Sequence, residues 1–159
     1  MIGTGRIHVY YGTGKGKTTA AVGQVIRAAG SGLKVLMFQF MKNNSSSERA
    51  ILEQIPNVTC LPGRDKIKFY NQMNSDERAE LKHYNTKALD EILCAVSLNL
   101  LNEDKLMSFL EHKPRGLEII MTGHEVSDRI IRASDYVTEM KKVKHPYDKG
   151  QSAREGIEY

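Results

Sequence analysis

The sequence predicts an α/β fold, a mostly parallel sheet with helices on both faces, and three observations carry that expectation. Apolar, β-branched segments alternate with helical ones at short pitch along the 159 residues. A turn dense in glycine and lysine, "GTGKGKTTAA" (Gly12–Ala21), joins the first strand to the first helix. No repeat, low-complexity tract or interdomain linker interrupts the alternation, so residues 1–159 read as one domain. Alternation of this kind builds a parallel sheet whose ligands lie beyond the carboxyl ends of its strands.

Each element has its own warrant. "RIHVYY" (Arg6–Tyr11) is β-branched and aromatic and stops at a glycine turn, which marks a buried strand. From Lys17 to Gly30, Ala20, Ala21, Val25, Ala28 and Ala29 recur at helical spacing, and Gly30 and Gly32 supply the stop. "KVLMFQF" (Lys34–Phe40) is the second strand, and the serines of "NNSSSER" cap a short helix through Leu52. "NVTCLPG" gives a short third strand. Further on, "EDKLMSFLEH" is an amphipathic helix stopped before Pro114, and "LEIIMTG" is an apolar strand. "SDRIIRAS" is another helix and "YVTEM" a last strand.

Composition narrows the function classes. Hydrophobic residues make up 40% and charged residues 26%, the balance of an ordinary globule long enough to bury about 70% of its unfolded surface. A net charge of +4, spread over several regions, suits an anionic ligand; no recognition helix or stacking platform points to nucleic acid. No apolar run reaches the ~20 residues that span a membrane, and "MIGTGR" leads straight into a strand with no room for a secretory segment. Cys60 and Cys94 lack metal-ligand spacing and read as buried thiols of a cytoplasmic protein.

The glycine–lysine turn carries the chemistry. In a phosphate loop of the form G-x-x-x-x-G-K-[ST], backbone N–H groups surround phosphate oxygens, the lysine neutralises charge and the hydroxyl reaches magnesium. Gly16-Lys17-Thr18 matches the downstream half; Tyr11 stands where the first glycine belongs, with Gly12 one place late. Gly14 keeps the backbone open and Lys15 adds a charge. A strand before and a helix after complete the context, so the expected fold is P-loop NTPase-like (RecA-like). Asp90 and Glu91, in "KALDEILCAV", are the candidates for the acidic contribution that a Mg²⁺ site takes from a neighbouring strand. By itself the loop equally allows a small-molecule kinase, a RecA-like ATPase or a silent nucleotide-binding protein.

"GTGKGKTTAA", "IRAAGSGLKVLMFQFMK", "LDEI", "TGH" and "VTEMKKVKHPYDKGQSAREGIEY" occur in that order, and with them the chain resembles the P-loop ATP:corrinoid adenosyltransferases from Gly5 to Tyr159. The last of these segments is the most specific. The resemblance implies transfer of the 5′-deoxyadenosyl group of ATP to the cobalt(I) of a reduced corrinoid, cobalamin or cobinamide, with triphosphate leaving whole. It also implies Mg²⁺, an electron donor such as a flavoprotein, and a homodimer. Residue by residue, it assigns Gly12, Thr13, Gly14, Lys15, Gly16, Lys17, Thr18 and Thr19 to the triphosphate, with Lys17 also catalytic, and Thr18, Glu91 and Asp90 to Mg²⁺. Arg27 and Gln39 match family positions, Arg27 with the nucleotide. His145 is assigned to the active-site rim. Phe69, with Tyr70 beside it, is assigned to displacing the lower axial ligand of the corrinoid, although the family's F-x-W pattern and its tryptophan are absent. His124 stands where many members carry arginine, and Lys141, Lys142 and Lys144 read as a solvated basic run unless the signature recruits them.

One region departs from the family. "SDERAELKHYNTKALDEILCAV" runs from a polar helical pattern into Asp90-Glu91 with no apolar run ahead, so the strand that should end there reads as missing or shortened. Ala79, Leu89, Ile92, Leu93 and Val96 even fit one continuous helix. Such a strand normally buries about five apolar side chains, on the order of 10 kcal/mol in all, comparable with a whole domain's stability. Three readings follow. Roughly 15–25 residues of helix, turn and strand are absent from the sequence as written; or a real deletion is compensated by a rearranged sheet or a partner subunit; or the protein is an inactive relative.

Overall fold

The computed structural model describes residues 3–41, 46–61, 84 and 86–158. Among them the elements are β1 (Ile7–Tyr11), α1 (Lys17–Gly30), β2 (Val35–Gln39), α2 (Ser47–Leu52) and β3 (Val58–Cys60). After these come β4 (Thr86–Asp90), α3 (Ile92–Ser97), α4 (Glu103–Glu111), β5 (Glu118–Gly123), α5 (Asp128–Ala133) and β6 (Tyr136–Glu139), with a 3₁₀ turn over Pro146–Lys149. Six strands form one sheet in the order β3-β2-β4-β5-β1-β6, and every pairing is parallel. The expected architecture therefore stands. β5 separates the strand that leads into the loop from the strand that ends in Asp90, which is the RecA-like arrangement.

Alternation along the strands divides the core between the two faces. Ile7 and Val9 of β1, Phe38 of β2, and Ile119 and Met121 of β5 meet Ile92, Leu93, Leu106, Leu110 and Ile130 from α3, α4 and α5. Val35, Met37, Ala88 and Ile120 point the other way, onto Ala21, Val25 and Ala29 of α1 and Leu52 of α2. Because helices cover both faces, β2 and β5 read as near-continuous apolar runs. The small residues at every fourth position of α1 let that helix lie close against β4 and β5.

The strand expected to be missing or shortened is present. β4 is five residues long, the same as β1 and β2, and pairs with β2 from Thr86 to Asp90 and with β5 from Thr86 to Leu89. Neither a helix through Leu89 nor a strand at "ILCAV" forms; α3 starts at Ile92, and Asp90 stands at the carboxyl end of β4, where ligands bind. The sequence reading failed because β4 buries polar residues. Thr86 is 1% exposed and its Oγ1 has no hydrogen-bond partner among the described residues, while Lys87 is 4% exposed with its ammonium 5.5 Å from the centre of the Phe109 ring. Burial pushes the Lys87 amine down to about 8. The polar helical pattern from Ser75 to His83 lies outside the described residues.

Candidate active site

The site begins where β1 ends. The N–H of Gly12 donates to the His124 carbonyl (3.0 Å), that of Gly14 to the Met140 carbonyl (2.5 Å), and that of Met140 to the Tyr11 carbonyl (2.7 Å). The loop is thus laced to the segments that follow β5 and β6. Glycine is required here for a reason beyond the phosphate. A Cβ on Gly12 or on Gly14 would stand 2.6 Å from the Met140 carbonyl oxygen, and Gly12 also has a φ of 113°. Gly16, at φ 109°, caps α1 without any side-chain hydrogen bond. The Ala20 N–H donates to the Gly16 carbonyl at 2.8 Å, and Lys17, Thr18 and Thr19 form the first turn of the helix, the place where an anion is most readily received. The Lys17 ammonium donates to the Gly14 carbonyl at 2.7 Å, within the loop.

Thr18 leads to the acid. Its Oγ1 donates to Asp90 Oδ1 at 3.0 Å, and Thr122 Oγ1, fully buried at the end of β5, donates to the same oxygen at 2.7 Å. Thr122 also accepts the N–H of Glu91 (2.8 Å), fixing that residue in a left-handed conformation with φ 61°. Asp90 is 0% exposed, and Gln39 Nε2 reaches its other oxygen at 3.5 Å while bonding Glu48 at 2.7 Å. A hydroxyl beside a buried carboxylate is an all-oxygen donor set, the hard-ligand chemistry that suits Mg²⁺. Glu91 is half-buried, and the Cys94 thiol hydrogen-bonds to it. Burial first, then that bond, pushes the Cys94 thiol up to about 11, which keeps it a neutral, inert group.

A cleft of about 230 Å³ opens beside the loop, lined by Thr13, Gly14, Lys15 and Lys17 on one side and by His124, His145–Tyr147, Gln151–Ala153 and Glu158 on the other. The segment after β6 is pinned over the loop by the Lys142 N–H, which donates to Thr13 Oγ1 at 3.2 Å. His145 caps the 3₁₀ turn, its Nδ1 accepting the Tyr147 N–H at 3.1 Å. Lys142 also pairs with Asp148 at 2.7 Å, so part of the basic run braces this segment.

Most of the residues singled out from sequence thus converge: the loop from Gly12 to Thr19, Asp90, Glu91, His124 and His145. Arg27 does not. It occupies the last turn of α1, roughly 15 Å along the axis from Lys17 at 1.5 Å per residue, and nothing in the cleft supports its assignment to the nucleotide. Phe69 and Tyr70 lie outside the described residues. Sequence reasoning missed Thr122, because a threonine in a strand reads as β-propensity. Its signal was a lone hydroxyl closing an apolar run just before a glycine.

Comparison with known proteins agrees with this geometry. The family model for the ATP:corrinoid adenosyltransferases BtuR/CobO/CobP matches residues 3–159. The chain is 30% identical to the corrinoid adenosyltransferase of Escherichia coli (strain K12) over 176 aligned positions, covering 98% of this chain and 86% of that protein. Those 176 positions exceed the 159 residues of the chain, so the relative carries a stretch that this chain lacks. An uncharacterized protein of Nostoc sp. is 30% identical over 90% of this chain, which spans only 45% of that protein's length. Among solved structures, the cytoplasmic domain of EssC superposes with a TM-score of 0.61 at 17% identity, over 95% of this chain and 37% of that one, a likeness of fold alone. Members of the matched family transfer the adenosyl group of ATP to the cobalt of corrinoids. With that family model spanning residues 3–159 and a relative 30% identical over 98% of the chain, this chain belongs to the ATP:corrinoid adenosyltransferase family.

Proposed function

We propose that this chain holds ATP by its triphosphate and passes the 5′-deoxyadenosyl group to the cobalt(I) of a reduced corrinoid. The cobalt electron pair forms the bond to the ribose 5′-carbon, the bond from that carbon to oxygen breaks, and triphosphate leaves with the electrons. Cobalt(I) is nucleophilic enough to need no general base. The protein's task is to neutralise a leaving group of about −4 charge and to align it. The backbone amides of Lys17, Thr18 and Thr19 and the ammonium groups of Lys15 and Lys17 are the groups for that task. Thr18 and Asp90, with Glu91 alongside, would hold Mg²⁺, which supplies further neutralisation of the phosphates when bound. His145 is assigned to the rim where nucleotide and corrinoid meet. Phe69 and Tyr70 keep their role at the corrinoid's lower face as a family assignment. A homodimer, a cytoplasmic setting and a flavoprotein-type reductant belong to the same proposal.

The observation that carries it is the Thr18–Asp90 hydrogen bond directly below a glycine–lysine loop covered by the His145–Glu158 segment. The test is anaerobic incubation with ATP, Mg²⁺ and chemically reduced corrinoid. A cobalt–carbon bond should appear in the visible spectrum with an equal amount of triphosphate, and Lys17→Ala should lose both. Release of ADP or phosphate without the spectral change would replace the proposal with kinase or ATPase chemistry.

A further inference from the structure

A carboxylate stands on the wall of a cleft built for an anion. Glu158 lines the same cleft as Lys15 and Lys17, and its side chain is only 18% exposed. Arg154 holds it there. The guanidinium Nη2 donates to Oε1 at 2.9 Å, Nε donates to Oε2 at 3.1 Å, and the Arg154 backbone N–H donates to Oε2 at 2.9 Å. These bonds, with a smaller contribution from the nearby Lys15 ammonium, hold the Glu158 carboxyl down to about 2. It is therefore ionised at neutral pH.

That arrangement conflicts with the use of the loop. A polyphosphate brought beside Lys15 and Lys17 meets a negative charge already lining their cleft and close enough to interact with Lys15, and like charges in one cleft repel. The conflict is relieved most simply if Glu158 leaves. Its mount allows this, because Glu158 is held by one arginine four residues earlier on an exposed segment, with Arg154 itself 57% exposed and Ile157 58% exposed.

We infer that Glu158 is an internal counter-ion of the nucleotide cleft: it competes with the triphosphate for Lys15, sets the affinity for the nucleotide, and swings out with Arg154 when the anion binds. The inference rests on the reading of the loop as a triphosphate site. Residue 158 thereby becomes an affinity-determining position, and the segment above the loop a flap that yields as the cleft fills. By keeping its carboxylate in the cleft, the flap would keep weaker anions such as inorganic phosphate from occupying the loop.

The test is calorimetric titration of the full chain with inorganic tripolyphosphate, comparing the unaltered protein, Glu158→Gln and Lys17→Ala at low and high salt. Glu158→Gln should bind on the order of threefold to tenfold more tightly, and the gain should shrink at 1 M salt, where the screening length falls to about 3 Å. Unchanged or weaker binding by Glu158→Gln overturns the inference. Undiminished binding by Lys17→Ala instead removes the triphosphate reading beneath it. Limited trypsin digestion gives a second readout. Tripolyphosphate should speed cleavage after Arg154 in the unaltered protein, and Glu158→Gln should be cut fast with or without the anion. Protection, or no change in rate, counts against the flap.

Discussion

β4 and β5 lie side by side at the centre of the sheet, yet they are built from opposite materials. β5 is "EIIMTG", with Ile119, Ile120, Met121 and Thr122 each 0% exposed. β4 is "TKALD", where three of five buried or half-buried positions are polar or charged. β5 holds its place by burying apolar side chains on both faces, each contributing about 1.5–3 kcal/mol. β4 is carried by its neighbours: a ladder to β2 along its whole length and one to β5 from Thr86 to Leu89, small Ala88 beneath α1, and the bonds that converge on Asp90. One strand supplies stability and the other supplies the acid. A strand can be poor in its own right and still be held, provided it is paired on both sides.

The largest effect expected from this contrast is on chemistry. Asp90→Asn, at the end of β4, should lower the rate of adenosyl transfer on the order of 10²- to 10³-fold and raise the Mg²⁺ requirement, with only a modest loss of stability because the Asn Oδ1 can still accept from Thr18 and Thr122. A collapse of the fold instead would make Asp90 a structural residue. Next in size, Ile120→Ala in β5 should destabilise the chain by about 2–5 kcal/mol in chemical denaturation, through the transfer and cavity costs of a sealed site. A loss below 1 kcal/mol would mean that β5 is not the main support.

In β4 the sign reverses. Lys87 falls from 10.5 to about 8 on folding, so the unfolded chain binds more protons between those values. The penalty for burying the cation is therefore complete below pH 8, and stability should rise as the pH climbs from about 8 towards 10.5. Lys87→Met should remove that slope and add about 1–3 kcal/mol at neutral pH, with the lost contact to the Phe109 ring offsetting part of the gain. The difference between the two proteins' denaturation curves at pH 7 and pH 9.5 reads it directly; a variant less stable than the parent would show that the lysine supports the strand. Smallest of all, Thr86→Val should gain about 1 kcal/mol, because its buried Oγ1 has no partner to lose among the described residues. Destabilisation there would point to a bonded hydroxyl.

The same contrast explains what the sequence made legible. The bounds of α1 follow from small apolar residues at helical spacing with glycine at both ends, and the structure places the helix at Lys17–Gly30 as expected. The loop was legible because its chemistry is local: each of its residues acts through its own backbone or charge. β4 was not, since its warrant lies in β2 and β5, residues far off in sequence. Asp90 could be named as a candidate, but its burial and its bond to Thr18 come only with the sheet. Thr122 and Glu158 act across 32 and 143 positions respectively to reach Asp90 and the Lys15 side of the cleft, separations that no window along the chain can reveal.

The lacing of the phosphate loop has a temporal consequence. β1 pairs only with β5 and β6, and Gly14 finds its carbonyl partner at Met140, so the loop is written early and assembled late. On the ribosome, Gly12–Thr19 would emerge well ahead of Met140, with every glycine and lysine of the loop in place and no wall to lean on. Grip on a nucleotide should therefore arise in one late event, when β6 docks and Met140 closes against the loop. Contacts of such long range slow that closure, and they make the nucleotide a reporter of complete folding.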